Sequence, residues 1–386
     1  MAEQTGFANG YPVICADIGN GLVKMGGWIR GRRSVVDGKH ALVEIDEARY
    51  SRLTREHGDG KGHYEYIKWN NRYFVVGQSA LVEGNVTPVQ GRNKYKRDYF
   101  GILFVSTLLK FYQGDVPEVL NAFLGYPPND MDFTPELIKS VVGNWTIDSL
   151  GRKKTFRVAY ATVFDEIVGG VMNVTLNDDG SPIKPDKTAK GPQRLLWDGP
   201  TIAADLGYGT FDLVRLDKMG RPDYGNIRSR SLGIGDSIET FINIFNKRHK
   251  KYLMDAENGV PLDKVYDCFY DPKHEFRLVG DKRLDCMDIY KQATNKLVNA
   301  VANAYRDLSR GSISYNYCLL SGGGSGLLYD ELCKEVFPQF HEAGAIYLAH
   351  ERESMHLANV RGSMRMVPAM IEASRRRARL QKVDNG

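Results

Sequence analysis

The chain is 386 residues long, with 42% hydrophobic and 26% charged residues, the balance of a folded protein with two cores rather than of a disordered one. Its net charge of +5, from 52 basic and 47 acidic residues, is too slight to point to nucleic acid by itself. No run approaches the ~18 apolar residues of a membrane helix, and "MAEQTGFANGYPVICAD" has neither the basic start nor the apolar stretch of a signal peptide, so a cytoplasmic location is expected.

From the N-terminus, "YPVICADIG" reads as a buried strand and "LVKMGGWIRG" as its return after a glycine turn. "HYEYIKWNNRYFVVGQSAL" alternates as a hairpin around Asn70-Asn71, a pair that tolerates left-handed backbone. "YFGILFVSTLLKFYQG" is apolar at helical spacing and stops at Gly114. "VLNAFLGYPPND" is a strand ending in a Pro-Pro turn, and "FTPELIKSVVG" a helix with Thr134 as its cap. "TFRVAYATVFDEIVGGVMNV" reads as a strand, a turn and a glycine-rich return. "NDDGSPIKPDKTAKGPQ" (177–193) holds prolines and little that is apolar, so it reads as a loop at a domain boundary.

"TIAADLGYGTFDLVRLDKMGRPDYGNIRSRSL" then restarts the strand-turn-strand pattern. "DSIETFINIFNKRH" and "CMDIYKQATNKLVNAVANAYRDLS" are helical by period. "YNYCLLSGGGSGLLYDELCKEVF" runs strand, glycine turn, helix, and "MHLANVRGSMRMVPAMIEASRRRARL" closes as a helix. Strands alternating with helices predict an α/β protein with mixed sheets, and the restart predicts a duplicated core. The five cysteines (Cys15, Cys268, Cys286, Cys318, Cys333) form no C-x-x-C pair and read as buried reduced thiols. The basic stretches "GRNKYKRDYF" (91–100) and "SRRRARLQK" (374–382) read as solvated faces.

Three glycine loops carry the chemistry. Asp17-Ile18-Gly19-Asn20-Gly21 sits at the first hairpin, where glycines allow positive φ and let backbone N–H groups approach phosphate oxygens. An acid beside such a loop is compatible with phosphate only through a cation, which implies Mg²⁺ held through water. Lys24 on the return strand can neutralise a β- or γ-phosphate oxygen. Asp205-Leu206-Gly207-Tyr208-Gly209-Thr210 repeats the acid and both glycines and adds a hydroxyl. Ser321-Gly322-Gly323-Gly324-Ser325-Gly326 follows a strand and precedes a helix, whose N-terminus can take a phosphate or lie against a nucleoside.

"DIGNGLVKMGG", "DLGYGTFDLV", "LGIGDSIETF" (232–241), "LLSGGGSGLL" and "ANVRGS" (358–363) resemble, in order, the phosphate 1, phosphate 2, connect 1, adenosine and connect 2 motifs of the actin-like ATPase superfamily. Within it, "DLGYGTFDL", "SGGGSGLL" and "ANVRG" look most like bacterial plasmid-segregation actins, the ParM/StbA family. The resemblance implies a two-lobed fold of the actin, heat-shock-chaperone and sugar-kinase type, with duplicated mixed sheets around a nucleotide cleft. It places the first lobe at 1–176 and 364–386, with a small subdomain about 30–100. The second lobe is 177–363, with a small subdomain about 236–290. It implies ATP and Mg²⁺, hydrolysis, filament assembly with copies of the same chain, and a DNA-binding adapter linking the filament to a plasmid centromere. Sequence-specific DNA contact and membrane contact are not expected.

By the same resemblance Asp17 and Asp205 hold the hydrated metal. Gly19, Asn20, Gly21, Lys24, Gly207, Tyr208, Gly209 and Thr210 take the phosphates, and Gly322, Gly323 and Gly324 lie at the adenosine. Gly235, Asp236 and Gly362 read as hinge residues. The family's water-orienting Glu falls at "TVFDEIVGG" (162–170), where Asp165 aligns with it and Glu166, one place on, has the longer reach. Two alternatives share the fold: a small-molecule kinase, for which Asp130 would be the base, and a cell-shape actin.

Overall fold

In the computed structural model, residues 6–57, 65–83, 95–183, 199–217, 220–249, 262–277, 283–309 and 315–384 are described. Most of the expected boundary loop (184–193) and residues 91–94 of the first basic stretch lie outside them. The chain divides into two compact units, Met1–Arg194 with Leu357–Gly386, and Leu195–His356.

In the first unit, β1 (Val13–Ile18), β2 (Leu22–Ile29) and β3 (Arg32–Lys39) form an antiparallel meander. β4 (Leu42–Ile45), α1 (Glu47–His57), β5 (Tyr66–Trp69), β6 (Arg72–Val76) and α2 (Gln78–Glu83) come next. They are followed by α3 (Ile102–Phe111), β7 (Val119–Tyr126), α4 (Thr134–Val141), β8 (Gly143–Ser149), β9 (Arg152–Asp165) and α5 (Glu166–Thr175). One sheet takes all nine strands in the order β3-β2-β1-β7-β9-β8-β5-β6-β4, with β1, β7 and β9 parallel. Asn70 and Asn71, at φ 49° and 57°, make the two-residue turn of the β5–β6 hairpin. Thr134 is the first helical residue of α4 and not its cap, a position held by Phe133 without a side-chain hydrogen bond.

The second unit repeats the plan. β10 (Thr201–Leu206), β11 (Phe211–Leu216) and β12 (Pro222–Arg230) form a second meander, followed by α6 (Ile234–His249), α7 (Leu262–Tyr270), β13 (Glu275–Arg277), β14 (Arg283–Asp285) and α8 (Met287–Ser309). β15 (Tyr317–Ser321), α9 (Gly323–Leu327), α10 (Tyr329–Glu331), α11 (Pro338–Glu342) and β16 (Ile346–Leu348) complete it. Its sheet runs β12-β11-β10-β15-β16, with β10, β15 and β16 parallel. That is the order and sense of β3-β2-β1-β7-β9, so the core is duplicated. α12 (Ala358–Asp384) then returns the chain to the first unit.

Strand alternation sets what each face does. Ile14, Ala16 and Ile18 of β1 enter the core beneath α3, whereas Val13 and Cys15 face Val360 and Met364 of α12. Asp17 has the parity of Cys15, so it ends the face that α12 covers. In β10, Ile202, Ala204 and Leu206 enter the core with α6 and α8, and Asp205 falls on the opposite face. All five cysteines are free and buried.

The segment expected to be a glycine-rich return after β9 is the helix α5 instead. Gly169 and Gly170 are helical because another helix needs their space: a Cβ at Gly169 would lie 2.6 Å from the Asn359 carbonyl oxygen. A Cβ at Gly362 would lie 1.7 Å from the Gly169 carbonyl oxygen. α5 and α12 therefore cross in backbone contact at Gly169 and Gly362.

Candidate functional site

The C-terminal ends of the parallel strands carry the expected acids. Asp17 lies opposite Lys24 in the β1–β2 hairpin, and the Lys24 Nζ donates to Asp17 Oδ2 at 2.7 Å. The Asp17 side chain is fully buried and that of Lys24 is 12% exposed. Asp17 Oδ1 is also buried and has no hydrogen-bond partner among the described residues. A Cβ at Gly19 would stand 3.5 Å from Lys24 Nζ and 3.7 Å from Asp17 Oδ1, ordinary contact distances that place the turn against both groups. Positive φ is not the reason for glycine here: among the site glycines only Gly322 has it.

Gly125 is the cross-strand neighbour of Asp17 in β7, and Phe164 is the neighbour of Gly125 in β9. Asp165 and Glu166 therefore sit at the same sheet edge as Asp17, roughly 10 Å away by strand spacing. Asp165 is buried and caps α5, its Oδ1 accepting from the Ile167 N–H at 2.9 Å. Glu166 is the first helical residue and half-buried. Burial first, and then the Asp165 charge, push the Tyr126 phenol up. The Tyr95 phenol is raised by burial, by its hydrogen bond to Asp130 and by the charges of Asp130 and Glu166. Asp130, the base of the kinase alternative, thus accepts a hydrogen bond from a buried tyrosine.

In the second unit Asp205 occupies the position of Asp17, but its cross-strand partner is Asp212 where the first hairpin has Lys24. Asp205 Oδ2 accepts from the Ser321 Oγ at 2.9 Å, and Asp212 accepts from the Ser229 hydroxyl. The loop closes with the Gly207 N–H donating to the Thr210 carbonyl at 2.8 Å. Gly322, at φ +80°, has no room for a Cβ, which would meet Asp205 Oδ1 and the Leu206 carbonyl oxygen at 2.4 Å. A Cβ at Gly324 would lie 2.8 Å from the Leu206 carbonyl, whereas one at Gly323 would meet only the His356 side chain, at 3.3 Å. Gly322 and Gly324 thus let the third loop lie against the end of β10. α9, which begins at Gly323, has five residues.

Gly235 and Asp236, expected as hinge residues, lie in the first turn of α6. The Gly235 N–H donates to the Tyr208 carbonyl at 2.7 Å, and a Cβ there would stand 2.5 Å from the Tyr208 ring. Asp236 Oδ2 accepts from the Gly233 N–H at 2.9 Å. Tyr208 packs against the second unit's core. Ser321, the first residue of the third glycine loop, is the donor to Asp205. One contributor carries no sequence signal: His40, far from any motif, bonds the Gly19-Asn20-Gly21 turn.

No protein-family profile matches the chain, and no curated protein matches it in sequence. Solved structures do match. The archaeal actin homologue Ta0583 superposes with a TM-score of 0.68 at 18% identity, covering 93% of this chain and 99% of that one. Alp7A, an actin-like protein, gives 0.69 at 15%, covering 96% and 99%. ParM of Bacillus thuringiensis, solved with ATP, gives 0.62 at 15%, covering 94% and 99%. The chain has the actin-like fold. ParM and Alp7A share that fold with it.

Proposed function

We propose that the chain is an actin-like ATPase that binds Mg-ATP, assembles into filaments and releases them after hydrolysis. Its cargo in this reading is plasmid DNA, engaged through a DNA-binding adapter. The observation that carries the reading is the repeated hairpin: an acid at the same register in two copies of one five-stranded plan, each followed by a glycine loop. That ParM was solved with ATP and Ta0583 in complex with ADP supports a nucleotide as the ligand.

The residues fit a hydrated cation. Asp17 Oδ1 is a buried carboxylate oxygen with no hydrogen-bond partner among the described residues. Asp17 and Asp205 would hold Mg²⁺, which would supply positive charge against the phosphates. Lys24, Gly19, Asn20 and Gly21 take phosphates from the first hairpin, and Gly207, Gly209 and Thr210 from the second. Gly323 is left to face the nucleoside. The attacking water is oriented by Glu166, half-buried at the first helical position of α5, while Asp165 caps that helix with its Oδ1.

The test is steady-state ATP hydrolysis with Mg²⁺ by the purified protein and by Asp17→Ala and Asp205→Ala. Each variant is expected to lose turnover by at least ~100-fold, the scale of losing an electrostatic contact to the transition state. Full turnover in Asp205→Ala would remove the second hairpin from the site.

A further inference from the structure

We infer that His40 is a positioning residue for the first phosphate loop, acting as a brace on the Gly19-Asn20-Gly21 turn; this rests on the function proposed above. His40 lies between β3 and β4, outside every glycine motif. Its ring Nδ1 bonds the Gly19 carbonyl oxygen, and its backbone N–H donates to the Gly21 carbonyl at 3.1 Å. A carbonyl only accepts, so Nδ1 carries the proton in this contact. The ring is backed by Tyr99, a buried residue of the turn Arg97–Gly101, with centroids 5.6 Å apart.

The turn needs such a brace. Neither Gly19 nor Gly21 adopts the positive φ that would lock a tight turn by itself, and Asn20 is exposed. The turn has two carbonyls tied from one side by a single residue. Tying the carbonyls back leaves the N–H groups free to face an anion. His40 touches the loop and not the nucleotide, so its effect is on the readiness of the loop. A loop held ready before substrate arrives strengthens ground-state and transition-state binding alike, which appears in KM and leaves kcat alone.

The experiment compares wild type, His40→Phe and His40→Asn in Mg-ATP hydrolysis and in calorimetric ADP binding. Phe keeps the ring on Tyr99 and lacks the donor, whereas Asn offers an amide N–H to Gly19. His40→Phe is expected to raise KM and the ADP Kd about three- to tenfold, the worth of one net hydrogen bond, with kcat within about twofold. His40→Asn is expected to recover most of the loss. A purely structural role would lower the active fraction, so a fall in kcat at unchanged KM contradicts the inference. So does unchanged KM in His40→Phe, or no recovery in His40→Asn. Wild-type protein that binds neither ADP nor ATP would instead contradict the function itself.

Discussion

At the scale of the residue, neighbouring acids in one hairpin or one helix start have separate jobs. Asp165 and Glu166 differ by one position, yet one caps a helix from a buried place and the other lies half-buried on the first turn. Asp165→Ala should therefore destabilise the protein by about 1 kcal/mol, the usual worth of an N-cap. Glu166→Ala should leave stability unchanged, bind ATP as wild type does and turn it over slowly. Thermal melts and single-turnover hydrolysis on the two variants check this, and slow turnover with full stability in Asp165→Ala would reverse the assignment. Reading the sequence by motif located both acids but ranked them by alignment. The capping bond depends on where β9 stops, which strand periodicity does not locate to one residue. His40 was beyond reach for a related cause: its two bonds to the turn span about twenty positions of chain, and a lone histidine carries no pattern.

The elements were legible where one face is strongly apolar and the ends carry stop signals. α3, α4, α8, β7 and the Asn70-Asn71 hairpin all fall where periodicity and turn residues place them. α5 did not, because Gly169-Gly170 reads locally as a turn and only the approach of α12 explains helical glycines there. The Gly169–Gly362 crossing makes a sharp prediction. In a helix interior Gly→Ala is ordinarily favourable by about 1 kcal/mol. At Gly362 the added Cβ would fall 1.7 Å from a carbonyl oxygen, so α12 must move off α5. Gly362→Ala should destabilise by about 2 kcal/mol or more in denaturant titration despite that gain. Gly38→Ala, where nothing lies within 4 Å, should stay within about 0.5 kcal/mol of wild type. A neutral or stabilising Gly362→Ala would contradict that crossing.

For the whole molecule, the doubled Asp-x-Gly-x-Gly text in the sequence corresponds to two sheets of equal order and sense, one in each compact unit. No helix among the described residues is long and apolar enough to cross a membrane. The proposed function rests, at this scale, on assembly. A subunit that contacts its neighbour through two different faces makes a heterologous contact, which grows into a polymer unless its rotation closes a ring. Loss of the γ-phosphate removes a group that both hairpins are proposed to hold, so ATP and ADP would favour different subunit states. A kinase of this fold would also respond to ATP, but would need a second substrate and would stay a small oligomer. Light scattering with electron microscopy after addition of Mg-ATP to the purified chain separates the two. The account predicts scattering that rises above a critical protein concentration, filaments on the grid, and decay of both as ATP is consumed. A chain that remains monomeric or dimeric at tens of micromolar, and consumes ATP only when a sugar or carboxylic acid is supplied, would contradict it.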